Sequence, residues 1–148
     1  MFEPNKKFSF ENLEVYKAAR LLVRDIYILQ NKFPREEKYA LGDQIRRSST
    51  SITSNIAEGS GRNSLKEKIH FVEIAFGSMT ESFSQLQNAQ DLGYISENDI
   101  EALRPSFNHV AALLSLLRKS FMNKLSAQDN IPNNPNNLNN LNNPNNPL

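Results

Sequence analysis

The sequence predicts an all-α fold, an up-and-down antiparallel four-helix bundle. Three observations predict it. Apolar residues recur at steps of three and four in four separate stretches, the spacing that lines one face of an α-helix. The stretches are joined by short links marked by proline or glycine, and short links between helices make neighbours antiparallel. Finally, 148 residues without a cysteine form a chain long enough to bury a core without disulfide staples.

The first helix is expected from about Phe10. Val15, Ala19, Leu22, Ile26, Leu29 and Phe33 alternate four and three apart, an a/d pattern of bundle helices. A second apolar set, Tyr16, Ala18, Leu21, Val23, Tyr27 and Ile28, widens the stripe beyond what one bundle needs. It leaves mainly Glu14, Lys17, Arg20, Arg24 and Asp25 to face solvent and points to burial in a homo-oligomer interface. Residues 1–9 show no periodicity and read as a flexible N-terminal arm.

Phe33-Pro34 ends this helix, because the residue before proline avoids the α region and proline lacks the donor a helix interior needs. Pro34 can open the second helix, with Glu36 and Glu37 in its first turn opposing the dipole. Leu41, Ile45, Ser48, Ile52 and Ile56 form the apolar stripe of that helix. One residue back runs a polar row, Gln44, Arg47, Ser51 and Asn55, continuing through Glu58 to Arg62, turned about 100° around the axis. Gly42 implies a close contact, and Gly59 is expected to stop the helix in a left-handed cap.

Ser64 and Glu67 read as a capping box opening the third helix. Leu65, Ile69, Val72, Phe76, Met79, Phe83 and Leu86 then step 4-3-4-3-4-3, with Ala75, Ser78, Ser82 and Ala89 small beside them. Gly93 closes it and Ser96 to Asp99 caps the fourth, where Ile100, Leu103, Phe107, Val110, Leu114, Leu117 and Phe121 continue the pattern. Pro105 is expected to kink or split that helix. Residues 10–125 are thus the bundle, and residues 126–148, with 11 Asn and 4 Pro, read as a disordered Asn/Pro-rich tail.

Composition excludes more than it assigns. Without cysteine there is no disulfide framework and no thiolate metal site. The N-terminal residues lack the apolar core of a signal peptide, and the longest nearly apolar run, Val110 to Leu117, is far short of the ~20 residues of a membrane span. A cytoplasmic protein is the expectation. Net charge is +1, too balanced for a dedicated duplex-DNA binder, so any nucleic-acid role depends on local clusters.

Chemistry has few candidates. Glu67-Lys68-Ile69-His70 matches the Glu-x-x-His spacing of di-metal bundles, but His109 has Ser106 three residues before it, so the second copy is missing and no metal or cofactor is expected. Gly59-Ser60-Gly61-Arg62 is not followed by the Lys-Ser/Thr of a phosphate-binding loop, and two separated histidines offer no nucleophile-base pair. The polar row has two readings. In one, Gln44, Arg47, Asn55 and Glu58 form a structural network reaching the third helix at Glu81, since an arginine held between helices must be paired. In the other, Arg46, Arg47 and Arg62 contact phosphates. The face of Lys17, Arg20 and Arg24 is a second candidate phosphate surface.

Several of these residues carry a resemblance. Phe33-Pro34 with Glu37, Tyr39 and Leu41, Gln44 to Arg47, Ser51-Ile52, Asn55-Ile56-Ala57-Glu58-Gly59 with Arg62, Ala75, Gly77-Ser78, Glu81 and Gly93-Tyr94 resemble the four-helix-bundle proteins encoded in intervening sequences of bacterial 23S ribosomal RNA genes. The fold is similar to that of the accessory protein of diversity-generating retroelements. The resemblance spans about residues 10–122 and implies a ring-like homo-oligomer, a pentamer, without catalytic activity. It further implies RNA or DNA, or a reverse-transcriptase-like protein, as partner. The expected function is therefore an oligomeric accessory factor with weak backbone binding through Lys17, Arg20, Arg24, Arg46 and Arg62. The alternative is a protein-protein interaction scaffold that binds no nucleic acid.

Overall fold

The computed structural model describes residues 3–131. After a 3-10 turn, Ser9–Asn12, the chain forms α1 (Glu14–Gln30), a second 3-10 turn (Arg35–Tyr39), α2 (Leu41–Ser60), α3 (Leu65–Asp91) and α4 (Glu97–Asp129). Each helix packs on its sequence neighbours and α1 closes the ring against α4, so four antiparallel helices surround one core. Leu22, Ile26, Ile45, Ile52, Leu86, Ile100, Val110 and Leu114 are its largest fully buried side chains.

The most extensive contact is between α2 and α3. Small side chains explain it. Ser48, Ser49, Ala75, Ser78, Ser82 and Ala89 are all buried, so little bulk separates the two backbones. Gly59 extends the same contact. It does not end α2 in a left-handed cap as expected: α2 runs on to Ser60, and its cap, Gly61, is right-handed at φ −85°. A Cβ at Gly59 would lie 2.7 Å from Cβ of Phe71, so this glycine is required by the approach of α3.

The entry to α2 also differs from expectation. Pro34 opens a separate 3-10 turn, and Ala40, at φ −114° and ψ −110°, breaks the chain before α2 begins. Glu36 and Glu37 thus stand in that turn, and Glu37 caps α2 from outside by accepting the Leu41 N–H at 3.1 Å. The close contact expected at Gly42 is with this turn: a Cβ would sit 2.8 Å from the Glu37 carbonyl.

Ser64 accepts the Glu67 N–H at the start of α3, but the Glu67 carboxylate takes the Ser64 hydroxyl instead of the N-cap amide, so half of the capping box forms. The box of Ser96 and Asp99 at α4 is complete. Gly93, at φ +76°, supplies the left-handed residue that lets the Tyr94 N–H return to the Ala89 carbonyl at 2.9 Å.

Pro105 does not split α4, which is one helix of 33 residues. The proline is exposed, so the Glu101 carbonyl that loses its partner faces solvent and can be satisfied there. The helix also outlasts the boundary expected at residue 125, continuing to Asp129; the remainder of the predicted tail, 132–148, lies outside the described residues. Phe76, placed in the α3 seam by its spacing, is 38% exposed on the outer side of the α3–α4 pair.

Candidate functional site

The polar row of α2 reaches α3 at Ser51 and, past the helix end, at Arg62, whereas Arg47 and Gln44 face solvent. Arg47 is 80% exposed in its side chain and pairs with Asp43 one turn back at 2.9 Å. Gln44 is exposed, Asn55 donates to the Ser51 carbonyl and hydroxyl, and Glu58 pairs with Arg62. The α2–α3 seam is also reached by the neighbouring stripe, to which Ser48 belongs. There Ser48 donates to Gln85 Oε1 at 2.7 Å and accepts from Ser82 at 2.9 Å, while Ser51 meets Ser78 at 2.9 Å. Glu81 joins only at the rim, accepting from Gln85 Nε2 at 3.2 Å. Sequence reasoning missed Gln85. Its register with Ala75, Ser78, Ser82 and Ala89, at steps of three and four, is the signal that places it there.

Two of the five proposed phosphate ligands, Arg46 and Arg62, are tied to other elements of the bundle. Arg46 donates to Gln30 Oε1 at 2.9 Å and to the Lys38 carbonyl at 2.6 Å, tying α1, the 3-10 turn and α2 together. Arg62 pairs with Glu58, approaches Glu67 and lies over the Phe71 ring at 4.7 Å, which fixes the α2–α3 link. The Arg46 side chain is 23% exposed and that of Arg62 38%, so Arg46 is the more committed of the two.

The other three remain on the solvent side of α1. Lys17 holds Glu14 at 2.8 Å, and this hydrogen bond and charge, with a smaller contribution from His109, keep the Glu14 carboxyl below its usual range. Arg24 pairs with Asp25 beside it. Arg20 has no carboxylate in ion-pair reach among the described residues; its guanidinium lies 6.0 Å from the centre of the Tyr16 ring.

Arg20 and Arg24 share a surface groove of about 560 Å³ with Tyr16, Val23, Tyr27, Ile28 and Asn31 of the same stretch and Thr53 of α2. Helical geometry brings these together: steps of three, four and seven residues return to one flank of α1, the one turned toward α2. In the apolar pattern of the sequence the two tyrosines register only as extra width. Among the described residues no cluster of three or more His, Asp or Glu is arranged to hold a metal ion, and no helix is long and apolar enough to cross a membrane.

A family model, described as 23S rRNA-intervening sequence protein, matches residues 11–116. The chain belongs to the 23S rRNA-intervening sequence protein family. Comparison with curated proteins finds no match. In this family member the matched region takes in α1 to α3 and the first 20 residues of α4. Several of the residues that carry the resemblance meet at one end of the bundle. Tyr94 donates to Glu37, its ring lies 6.0 Å from that of Phe33, and Glu37 caps α2 at Leu41. Gly59 serves helix approach. These motifs maintain the fold, and the groove of α1 lies apart from them.

Proposed function

We propose that this chain is a non-enzymatic, homo-oligomeric accessory factor that binds RNA or DNA weakly through the phosphate backbone. One observation carries the reading: Lys17, Arg20 and Arg24 lie within two turns on the solvent side of α1, and Arg20 offers a guanidinium with no carboxylate in ion-pair reach among the described residues. Few such cations and a near-balanced total charge make the binding weak and strongly salt-dependent. Membership of the family supports the accessory role, and the likeness to the retroelement accessory protein adds a reverse-transcriptase-like protein as partner. The cytoplasm is the compartment.

Assembly is supported by Leu21, 54% exposed on α1, and by Leu116, 63% exposed on α4. A second copy of the chain covers them; a pentameric ring is the form the resemblance implies. The same exposed side chains also favour the second reading, a protein-binding scaffold without nucleic-acid affinity.

Fluorescence anisotropy with labelled RNA separates the two. The first reading expects retention at low salt, with affinity falling steeply between about 50 and 200 mM salt, and loss on charge reversal at Lys17, Arg20 and Arg24. Absence of binding at low salt, or indifference to charge reversal, sinks it in favour of the scaffold. Light-scattering mass decides assembly: a monomer at micromolar concentration excludes the ring.

A further inference from the structure

Resting on the nucleic-acid reading above, we infer that the α1–α2 groove seats single-stranded nucleic acid, with unpaired bases stacked on Tyr16 and Tyr27 and phosphates held by Arg20 and Arg24. The groove's composition carries this. A ligand that offered phosphates alone would engage the two arginines and leave the rings and the apolar floor of Val23 and Ile28 unused. A duplex is such a ligand, because its bases face one another inside the helix. An unpaired strand presents both parts, and aromatic platforms beside basic residues are how single strands are bound without sequence preference.

The rings are spaced for a strand and not for one nucleotide. Tyr16 and Tyr27 are 11 residues apart, close to three full turns, which places them on one flank about 16 Å apart along the axis. Arg20 and Arg24 stand between them. The platform continues beyond the groove: the Tyr16 ring meets Phe10 edge-on at 4.9 Å, and Phe10 stacks with Phe8 at 5.8 Å. Phe8 is 71% exposed, next to the exposed Lys6 and Lys7. Basic and aromatic side chains therefore follow one another in short blocks from the N-terminal turn along α1. Asn31 and Thr53 add amide and hydroxyl groups at the edge of the groove, suited to base or sugar contacts.

The test compares three probes of about 12 nucleotides on the full chain: a labelled single strand, the matching duplex, and a base-free strand carrying the same phosphates. The single strand is expected to bind at least about ten-fold more tightly than either of the others. Tyr27→Ala should lower single-strand affinity by about ten-fold and leave duplex affinity unchanged, while Tyr27→Phe retains binding. Equal affinity for all three probes overturns the stacking inference and leaves backbone binding intact. No binding of any probe removes both. If an acidic peptide of matched charge displaces the strand at equal concentration, the groove is a peptide seat and the inference falls. The base-free probe needs no variant, so a poorly folding Tyr27→Ala does not spare it.

Discussion

The Tyr94 hydroxyl donates to Glu37 Oε1 at 2.9 Å, joining residues 57 positions apart, and the second oxygen of the same carboxylate accepts the Leu41 N–H. One glutamate thus fastens the α3–α4 corner to the start of α2. The hydrogen bond to Glu37 raises the Tyr94 hydroxyl above its ordinary pKa, with desolvation adding to it. A raised pKa means that this contribution is complete below the unfolded tyrosine value and lost as pH rises through the folded one. Tyr94→Phe should therefore lower stability at neutral pH by roughly one net hydrogen bond and flatten the decline at high alkaline pH, as read by urea unfolding across pH. Glu37→Gln should cost more, because it weakens both attachments.

Asp99 is the acid-side counterpart. The Lys32 ammonium at 2.7 Å, with the Ser96 amide, holds its carboxyl down to about 2. The pKa is depressed, so the contribution is present above the unfolded carboxylate value near 3.9 and disappears as pH falls through about 2. Unfolding midpoints measured between those limits should decline for the wild type. Asp99→Asn should start lower and decline less.

Two glycines in helices should respond with opposite signs. Gly59→Ala drives a methyl group into Phe71 Cβ at 2.7 Å and should destabilise by about 1–3 kcal/mol. Gly77, in the exposed interior of α3, has no neighbour within 4 Å of the place a methyl group would take, and Gly77→Ala should stabilise by up to about 1 kcal/mol. Thermal melts of both variants decide whether close approach or helix propensity governs each position.

Adjacent arginines should also differ. Arg47→Ala removes an exposed pair with Asp43 and should change stability by less than about 0.5 kcal/mol. Arg46→Ala removes bonds to Gln30 and the Lys38 carbonyl and should cost about 1–3 kcal/mol. Equal effects would show that the Arg46 clamp holds nothing.

At the seam, Gln85→Ala empties a side chain that is only 7% exposed and strips Ser48 of its acceptor on α3, leaving Ser82 as its donor. It should destabilise by about 1–3 kcal/mol, with the loss much reduced when Ser48→Ala is already present. A double-mutant cycle measures that coupling.

The apolar spacing was enough to place Val15 through Leu29 in α1 and Val72 through Leu86 in α3, because burial periodicity is a property of the local chain. Polar partners were not legible in the same way. A one-residue offset separates Arg47, which points to solvent, from Ser48, which meets Gln85; choosing between them requires the position of α3. Gly59 misled for a related reason: glycine at a helix end serves a cap or a close neighbour, and only Phe71 distinguishes the two. The groove was hidden because Tyr16 and Tyr27 satisfy an apolar count as well as they satisfy a stacking role.

The contrast between the two halves of the bundle has a consequence for opening. α2 and α3 are held by their small-residue contact and a ladder of buried hydroxyls, whereas few polar ties bind α1 and the residues just after it to the rest, chiefly Gln30 to Arg46 and Lys32 to Asp99. Amide protons of α1 should therefore exchange with solvent before those of the α2–α3 hairpin. The helix bearing the arginines and tyrosines is then the one that unfastens at lowest cost, and an occupant of its groove would be read out as slowed exchange along α1.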